Sequence, residues 1–391
     1  MRGETIADLA SEDGAHALFG RNASVKSVFI SVHDFRSLRK ASVHFIASEM
    51  ARRGDVRFLS VGLSRLSLHR GDTRSSLVAR ANRVERHNGV DCYLWKTAWH
   101  PFNIRKTSAK FLEAPMFRLY RGLLPAVARR WIKEADVAFV ESGMSVVFLA
   151  DIKRINPRAK IIYLASDDLE VIDSADTIRS DFRRHFDEID LVRLPSRYLL
   201  AGMPHGKSAA LIPHGVDRTI AEKRYPDPYA GQKACVSLGS MLFDAEFFRI
   251  AAPAFPDVTF HIIGAGKAAA DLQGDNIVIH PEMAFEQTLG YLQHAAFGVA
   301  PYRDEKTPRY LIDTSLKLRQ FGLFGIPAVC PTFALGDAAG RFGYTPGNAA
   351  SIRTAITAAM TNQDLIVDSS NTWSEVVDRL LHPEAFPDTR L

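Results

Sequence analysis

Short apolar runs, each closed by a polar turn and followed by apolar positions three or four residues apart, recur along most of this chain. Runs of the first kind are buried strands and stretches of the second kind amphipathic helices. In the first half the pattern predicts strands at Val25–Val32, Val56–Val61, Val90–Trp95, Val137–Val140 and Lys160–Leu164. Helices are predicted at about 38–53, 110–134 and 144–155. A Pro- and charge-rich stretch, RTIAEKRYPDPYAGQK, then follows Ile212-Pro213-His214-Gly215-Val216-Asp217. After it a second series begins: strand Ala234–Leu238, helix Asp244–Ala254, strands Val258–Ile263 and Asn276–Ile279, helix Phe285–His294 and strand Phe297–Ala300. A helix from about Thr314, strand Ile326–Cys330 and helix Ala349–Met360 complete it. Alternating strands and helices make parallel sheets covered on both faces, so the α/β reading is two Rossmann-like domains with a cleft between them. The expected division is a loosely ordered extension at 1–24, domains at 25–215 and 216–372, and a segment at 373–391 that packs back on the first domain.

Length agrees, since 391 residues exceed one comfortable core. No apolar run reaches the roughly 18 residues of a membrane span, and the N-terminus lacks a signal-peptide core. Cys92, Cys235 and Cys330 lie far apart inside apolar runs, as buried thiols do in a reducing compartment. A cytoplasmic protein is expected.

Charge separates the halves. Of 49 Lys+Arg and 44 Asp+Glu, residues 216–391 hold 15 and 20, which leaves 34 and 24 for the first 215. The basic half suits an anionic surface or a phosphate-bearing substrate. Its sharpest concentration lies between Trp95 and Lys133, where nine Lys/Arg and one acid, Glu113, interleave with Trp99, Phe102, Phe111, Phe117, Tyr120 and Trp131. Such a mixture fits an interfacial helix on anionic lipid. It also resembles a nucleic-acid groove, but no nucleic-acid recognition motif accompanies it. An ordinary core helix with a solvated far face is the third reading.

Candidate chemistry gathers at strand ends. Ser31, His33 and Asp34 follow the first strand, Glu141 and Ser142 a later one, and Ser166, Asp167 and Asp168 the next. A carboxylate such as Asp167 at the cleft takes the proton of an attacking hydroxyl; Asp168 competes for that role, or the pair caps a helix starting near Leu169. In the second half Gly239-Ser240-Met241, Glu282-Met283 and Tyr302 end successive strands. Thr314 or Ser315 caps a helix that carries Lys317 and Gln320 on one face. Together these surround a nucleotide: a carboxylate for ribose hydroxyls, Tyr or Met for the base, Lys and helix N–H groups for phosphates. Gly264-Ala265-Gly266-Lys267-Ala268-Ala269 resembles the dinucleotide fingerprint, but follows the second strand of its domain where that fingerprint follows the first. No His/Cys cluster or DxD motif indicates a metal.

Longer strings carry a resemblance. HNGVDCYLWKTAWHPFN (87–103), ASDDL (165–169), HGVD (214–217), GSMLFDAEFF (239–248), PEM (281–283), APY (300–302), SLKLRQ (315–320), GIPAVCP (325–331) and FGYTPGNA (342–349) resemble the GumK family of xanthan-type glucuronosyltransferases. The similarity runs from about Ser27 to the C-terminus. It implies the GT-B fold, with an N-terminal acceptor domain and a C-terminal nucleotide-sugar domain. The implied activity is inverting and independent of metal or other cofactor. It moves glucuronic acid from UDP-glucuronate to a mannosyl residue of a polyprenyl-diphosphate-linked oligosaccharide, at the inner face of the plasma membrane in exopolysaccharide biosynthesis. On matching positions Asp167 is the implied general base, and Met241, Glu282, Met283, Tyr302, Lys317 and Gln320 line the UDP site. Asp217 sits at the hinge side of the cleft. Leu316 stands in the uracil pocket where the family has Met, a swap of similar volume. Asp168 stands where a glycine is expected and sets a second carboxylate beside the base. Arg309, Arg319 and Lys306 are candidates for reading the donor carboxylate. The alternatives are a GT-B enzyme with another UDP-sugar, a UDP-sugar 2-epimerase, or a peripheral membrane-binding protein with a vestigial cleft.

Overall fold

The computed structural model describes residues 24–391 apart from 205–208, 304–307, 363, 365 and 367–369; of the expected extension at 1–24 only Ser24 lies within the described residues. Two sheets carry the molecule. The first contains β1 (Ser27–Ser31), β2 (Val56–Ser64), β3 (Val84–His87), β4 (Val90–Thr97), β5 (Val137–Glu141), β6 (Lys160–Leu164), β7 (Leu191–Leu194) and β8 (Ala209–Leu211), in the order β3-β4-β2-β1-β5-β6-β7-β8. All its pairings are parallel except that of β3 with β4. The second contains β9 (Ala234–Leu238), β10 (Thr259–Ile263), β11 (Ile277–His280), β12 (Phe297–Val299), β13 (Ala328–Pro331) and β14 (Arg341–Tyr344), in the order β11-β10-β9-β12-β13-β14, all parallel. Strand order reverses beside β1 in one sheet and beside β9 in the other. Crevices for ligands open at such switch points, at the carboxyl ends of the strands.

Each sheet is buried on both faces, which is why its strands read as apolar runs without alternation. One face of the first sheet packs Ile30, Val140 and Tyr163 against Phe117, Tyr120, Trp131 and Phe148. The other packs Phe29, Phe58, Phe139 and Leu164 against Val43, Ile46 and Met50 of the helix Ser42–Ala51. The second sheet has its own two clusters, around Phe248 and Phe260 and around Leu292 and Phe321. Cys92, Cys235 and Cys330 are buried free thiols within β4, β9 and β13.

The final helix, Trp373–Leu381, belongs by packing to the first sheet. Trp373, Val376, Val377, Leu380 and Leu381 recur at helical spacing and are buried on the face that also holds helix Ser42–Ala51. Each such burial stabilises by about 1.5–3 kcal/mol. A capping box starts the helix: Glu375 N–H donates to Thr372 Oγ1 at 3.2 Å and Thr372 N–H to Glu375 Oε2 at 2.6 Å. The chain crosses between the sheets twice, and the crossings are paired, with Val216 N–H donating to Asn371 O at 2.8 Å and Trp373 N–H to Val216 O at 3.2 Å. Gly215 is required there, because a Cβ would stand 2.7 Å from the backbone nitrogen of Trp373.

Several predicted elements are divided or shortened. The helix expected at 38–53 is confined to Ser42–Ala51, because Asp34 and Arg36 fold the preceding residues into a loop. Arg36 donates to Asp34 through its backbone N–H (3.0 Å), Nε (2.9 Å) and Nη2 (2.9 Å). The helix expected at 110–134 is a turn of 3-10 helix, Thr107–Leu112, then Glu113–Gly122 and Ala126–Glu134, broken at Gly122 and Pro125. The one expected at 144–155 begins as 3-10 helix at Met144–Phe148.

Candidate active site

The first domain contributes a shelf of short polar side chains. Glu141, buried at the end of β5, accepts hydrogen bonds from Ser31 Oγ and, at 2.9 Å, from Ser166 Oγ. Ser142 Oγ accepts from the Asp167 N–H at 3.0 Å. The turn after β6 is thereby pinned, with Asp167 half-buried at the cleft. Its Oδ1 accepts a hydrogen bond of 3.0 Å from the hydroxyl of Tyr310, a residue of the other domain. Burial raises the pKa of Asp167. Glu141 and Asp168 push it the same way, while the Tyr310 hydroxyl and His33 oppose them. Asp168 is spent locally: its Oδ1 accepts the Glu170 N–H at 2.8 Å and its carboxylate lies against Gly202. Asp34, the other acid of this edge, is buried under Arg36 and holds a loop.

The second domain contributes a cavity. Gly239 after β9 and Gly264 after β10 have φ of 78° and 72°, so each strand ends in a turn open only to glycine and the backbone lies bare at the edge. Gly239, Gly264, Glu282, Met283, Phe285, Thr288, Leu316 and Gln320 wall a cavity of about 140 Å³, closed on its far side by Leu38, Arg39 and Lys40 of the first domain. Arg39 enters it. Its guanidinium donates to Ser240 Oγ and Gly264 O, each at 3.2 Å, and stands 3.5 Å from Glu282. A larger hollow of about 480 Å³ shares Leu38, Arg39, Lys40 and Glu282, and is lined beyond them by His33, Arg36, Arg74 and Arg80.

The helix Leu316–Leu323 points its N-terminus into this region. Ser315 caps it, accepting the Leu318 N–H at 3.3 Å, and also pairs with the Tyr302 hydroxyl at 2.6 Å. Lys317 Nζ lies 5.0 Å from the Tyr302 ring centre. Burial, then the neighbouring Arg39, pushes the Lys317 ammonium down to about 7.

Of the nucleotide residues expected from sequence, Gly239, Glu282, Met283, Leu316 and Gln320 meet at one cavity. Two others stand apart from that wall. Tyr302 is fully buried, with its hydroxyl bound to Ser315 and its ring beside Lys317. Met241 lies outside the cavity wall and is 52% exposed, in the turn after β9. Asp217 caps a short helix at the crossover, accepting the Thr219 N–H at 3.1 Å, and lines a separate hollow on the hinge side. Arg319 bonds Asp313 O and Ser370 Oγ, and Arg309 lies over the Tyr198 ring, so neither faces the cavity; Lys306 is outside the described residues. Sequence reasoning missed Arg39 and Tyr310. Arg39 hid in a predicted helix, and its signal is position, an arginine in the loop after the first strand at the switch point.

The dinucleotide fingerprint fails for a physical reason. Gly264 does reach the cavity, but Gly266–Ala269 is one turn of 3-10 helix, with no long helix to hold a pyrophosphate. Among the described residues no three His, Cys, Asp or Glu side chains form a metal-ligating group, and no helix is long and apolar enough to cross a membrane.

The basic segment divides in two. Trp95, Phe117, Tyr120 and Trp131 are buried in the core, whereas Phe111 (73% exposed), Leu119 (58%), Leu123 and Leu112 face outward with Phe102.

Two doubly covered sheets, parallel but for the β3–β4 edge pairing, with their switch points at a cleft, define the GT-B fold. Solved structures of this fold superpose over nearly the whole chain. Anabaena HepE in complex with UDP and glucose gives a TM-score of 0.60 at 12% identity, covering 93% of this chain and 100% of that one. Sucrose-phosphate synthase from Thermosynechococcus elongatus gives 0.59 at 14%, covering 92% and 96%. The chain belongs to the GumK glucuronosyltransferase family. Residues 29–195 match the family described as glucuronosyltransferase GumK, N-terminal domain. A UDP-glucuronate:glycolipid 2-beta-glucuronosyltransferase from Xanthomonas campestris pv. campestris is 45% identical over 362 residues, 93% of this chain and 90% of that protein.

Proposed function

We propose that the protein transfers glucuronic acid from UDP-glucuronate to a glycolipid, a mannosyl residue of a polyprenyl-diphosphate-linked oligosaccharide, with inversion at the anomeric carbon. The observation that carries the reading is the cavity at the second sheet's switch point, with a carboxylate, bare glycine backbone and a nearby lysine, together with a first-domain carboxylate, Asp167, that touches Tyr310 of the second domain. In this reading Glu282, which stands 3.5 Å from Arg39, accepts from the ribose hydroxyls, and Met283 and Leu316 border the uracil. Lys317, the helix N-terminus behind it and Arg39 balance the charge that grows on the departing diphosphate, and this charge set works without a metal. Arg39 and Lys40, which line both the small cavity and the basic hollow, also supply cations for the donor carboxylate. Asp167 takes the acceptor's proton as its oxygen attacks the face of the anomeric carbon opposite the leaving group.

The acceptor's lipid calls for a membrane-facing surface. Phe111, Leu112, Leu119 and Leu123 protrude from a segment rich in Lys and Arg, the composition of an interfacial element on anionic lipid. We place this face on the inner leaflet of the plasma membrane. The test is transfer from UDP-glucuronate, UDP-glucose and UDP-galacturonate to a polyprenyl-diphosphate-linked oligosaccharide ending in mannose. The reading predicts strong preference for UDP-glucuronate and a β-linked product by NMR; equal use of the neutral sugar, or an α-linked product, would overturn it.

A further inference from the structure

We infer that Tyr310, a side chain of the donor-binding domain, positions Asp167 across the cleft, so that the base is aimed only when the two domains are closed. The inference rests on the reading of Asp167 as base. Of the described residues, Tyr310 alone donates a side-chain hydrogen bond to this carboxylate, at 3.0 Å to Oδ1. The contact is built and not incidental. Tyr310 is 5% exposed and, with Leu311, is buried in the first domain's own core cluster together with Ala165, Leu169 and Leu199. The residues around it are fastened to the same domain: Arg309 lies 4.8 Å over the Tyr198 ring, and Asp313 Oδ2 accepts from Ser196 Oγ at 2.6 Å. A short stretch of the donor domain, just ahead of the helix that carries Lys317, is therefore docked on the strand ends that carry the base.

The geometry assigns each oxygen of Asp167 a task. Oδ1 is held by the phenol, and Oδ2 is left to accept the acceptor's proton. In the transfer step that proton passes to Oδ2, the acceptor oxygen forms its bond to the anomeric carbon, and the carbon–oxygen bond to the diphosphate breaks with its electron pair leaving on UDP. Tyr310 keeps its proton throughout, since burial and the adjoining carboxylates push the phenol's pKa up. It orients the base and stabilises its ionised form.

The charged and titratable groups facing Asp167 are Glu141 from β5, His33 from the loop after β1, Asp168 beside it, Tyr163 from β6 beneath it, and Tyr310. Among these described groups, Tyr310 is the one from the other domain. Removing its hydroxyl removes a group that favours the carboxylate, so the pKa of the base rises and activity is lost at a higher pH on the acid side.

The experiment measures kcat against pH for the full-length protein, Tyr310→Phe and Asp167→Asn, with UDP affinity measured in parallel. Tyr310→Phe is expected to keep UDP affinity within about twofold, to lower kcat by about tenfold or more, and to move the acidic limb upward by about half a pH unit or more. Should Tyr310→Phe fail to fold, 3-fluorotyrosine at position 310, a stronger donor, is expected to move the limb downward. Loss of transfer in Asp167→Asn with an unmoved acidic limb in either Tyr310 variant would overturn the inference alone. Near-normal transfer by Asp167→Asn would overturn the base assignment and the inference with it.

Discussion

Lys317 offers a quantitative test of where the diphosphate lies. Its ammonium is held down to about 7, first by burial and then by Arg39. A diphosphate beside it favours the charged form, so binding is strongest when the lysine is protonated and is linked to proton uptake once the pH exceeds that value. A lysine of pKa about 7 is roughly a quarter protonated at pH 7.5 and about 3% protonated at pH 8.5, so UDP affinity should weaken about eightfold across that unit. The sign is fixed: the pKa is raised on binding, so the linked affinity is fully present below pH 7 and is lost as the pH rises. The terminal phosphate of UDP, which titrates near pH 6, is ionised throughout this window. Calorimetry at pH 7.5, 8.0 and 8.5 in buffers of different ionisation heat reads both the affinity and the protons taken up, between about 0.75 and 1 per site. Lys317→Met should bind more weakly and lose both the pH dependence and the proton uptake. A flat affinity for the wild-type protein, with no buffer-dependent heat, would place the diphosphate elsewhere.

Other expectations follow from the same geometry. Glu282→Ala should weaken UDP binding by about 1.5–3 kcal/mol, or roughly 10- to 150-fold, and abolish discrimination against a deoxyribose analogue in competition titrations. Replacing both Phe111 and Leu119 by Asp should reduce sedimentation with anionic vesicles by tenfold or more while UDP affinity stays within about twofold, because those side chains are exposed and far in sequence from the cavity residues. Gly215→Val should cost about 1–3 kcal/mol in thermal or denaturant unfolding, since its Cβ would sit 2.7 Å from the Trp373 nitrogen.

The α/β alternation was legible because both sheets are covered on both faces, which turns strands such as Phe297–Val299 and Ala328–Pro331 into plain apolar runs. The edge strand β3 was not: it reads VERH, and its side chains alternate between exposed and half-buried, so it carries no apolar run to find. Strands β7 and β8 were missed for their brevity and, in β7, for a buried arginine, Arg193, satisfied in part by Ile212 O and His214. At the site, Gly239, Glu282, Met283 and Gln320 could be placed together because each ends a strand or lies near a helix start on one sheet edge, while Leu316 came from the family resemblance. The burial of Tyr302 could not be foreseen, since nothing local announces that Ser315 takes its hydroxyl. Arg39 and Tyr310 act across the cleft, and contacts between residues 39 and 264, or 167 and 310, have no signature in periodicity or spacing. Asp168 looked like a rival base; its bond to the Glu170 N–H shows an acid occupied with its own turn.

A crystal structure with UDP-glucuronate tests the central claim most directly. The account predicts the uridine between Gly239, Gly264 and Leu316, the ribose on Glu282 with Arg39 displaced toward the phosphates or the sugar carboxylate, and the anomeric carbon facing the free oxygen of Asp167 across the cleft. Nucleotide density at the hinge-side hollow near Asp217, or a donor sugar turned away from Asp167, would contradict it.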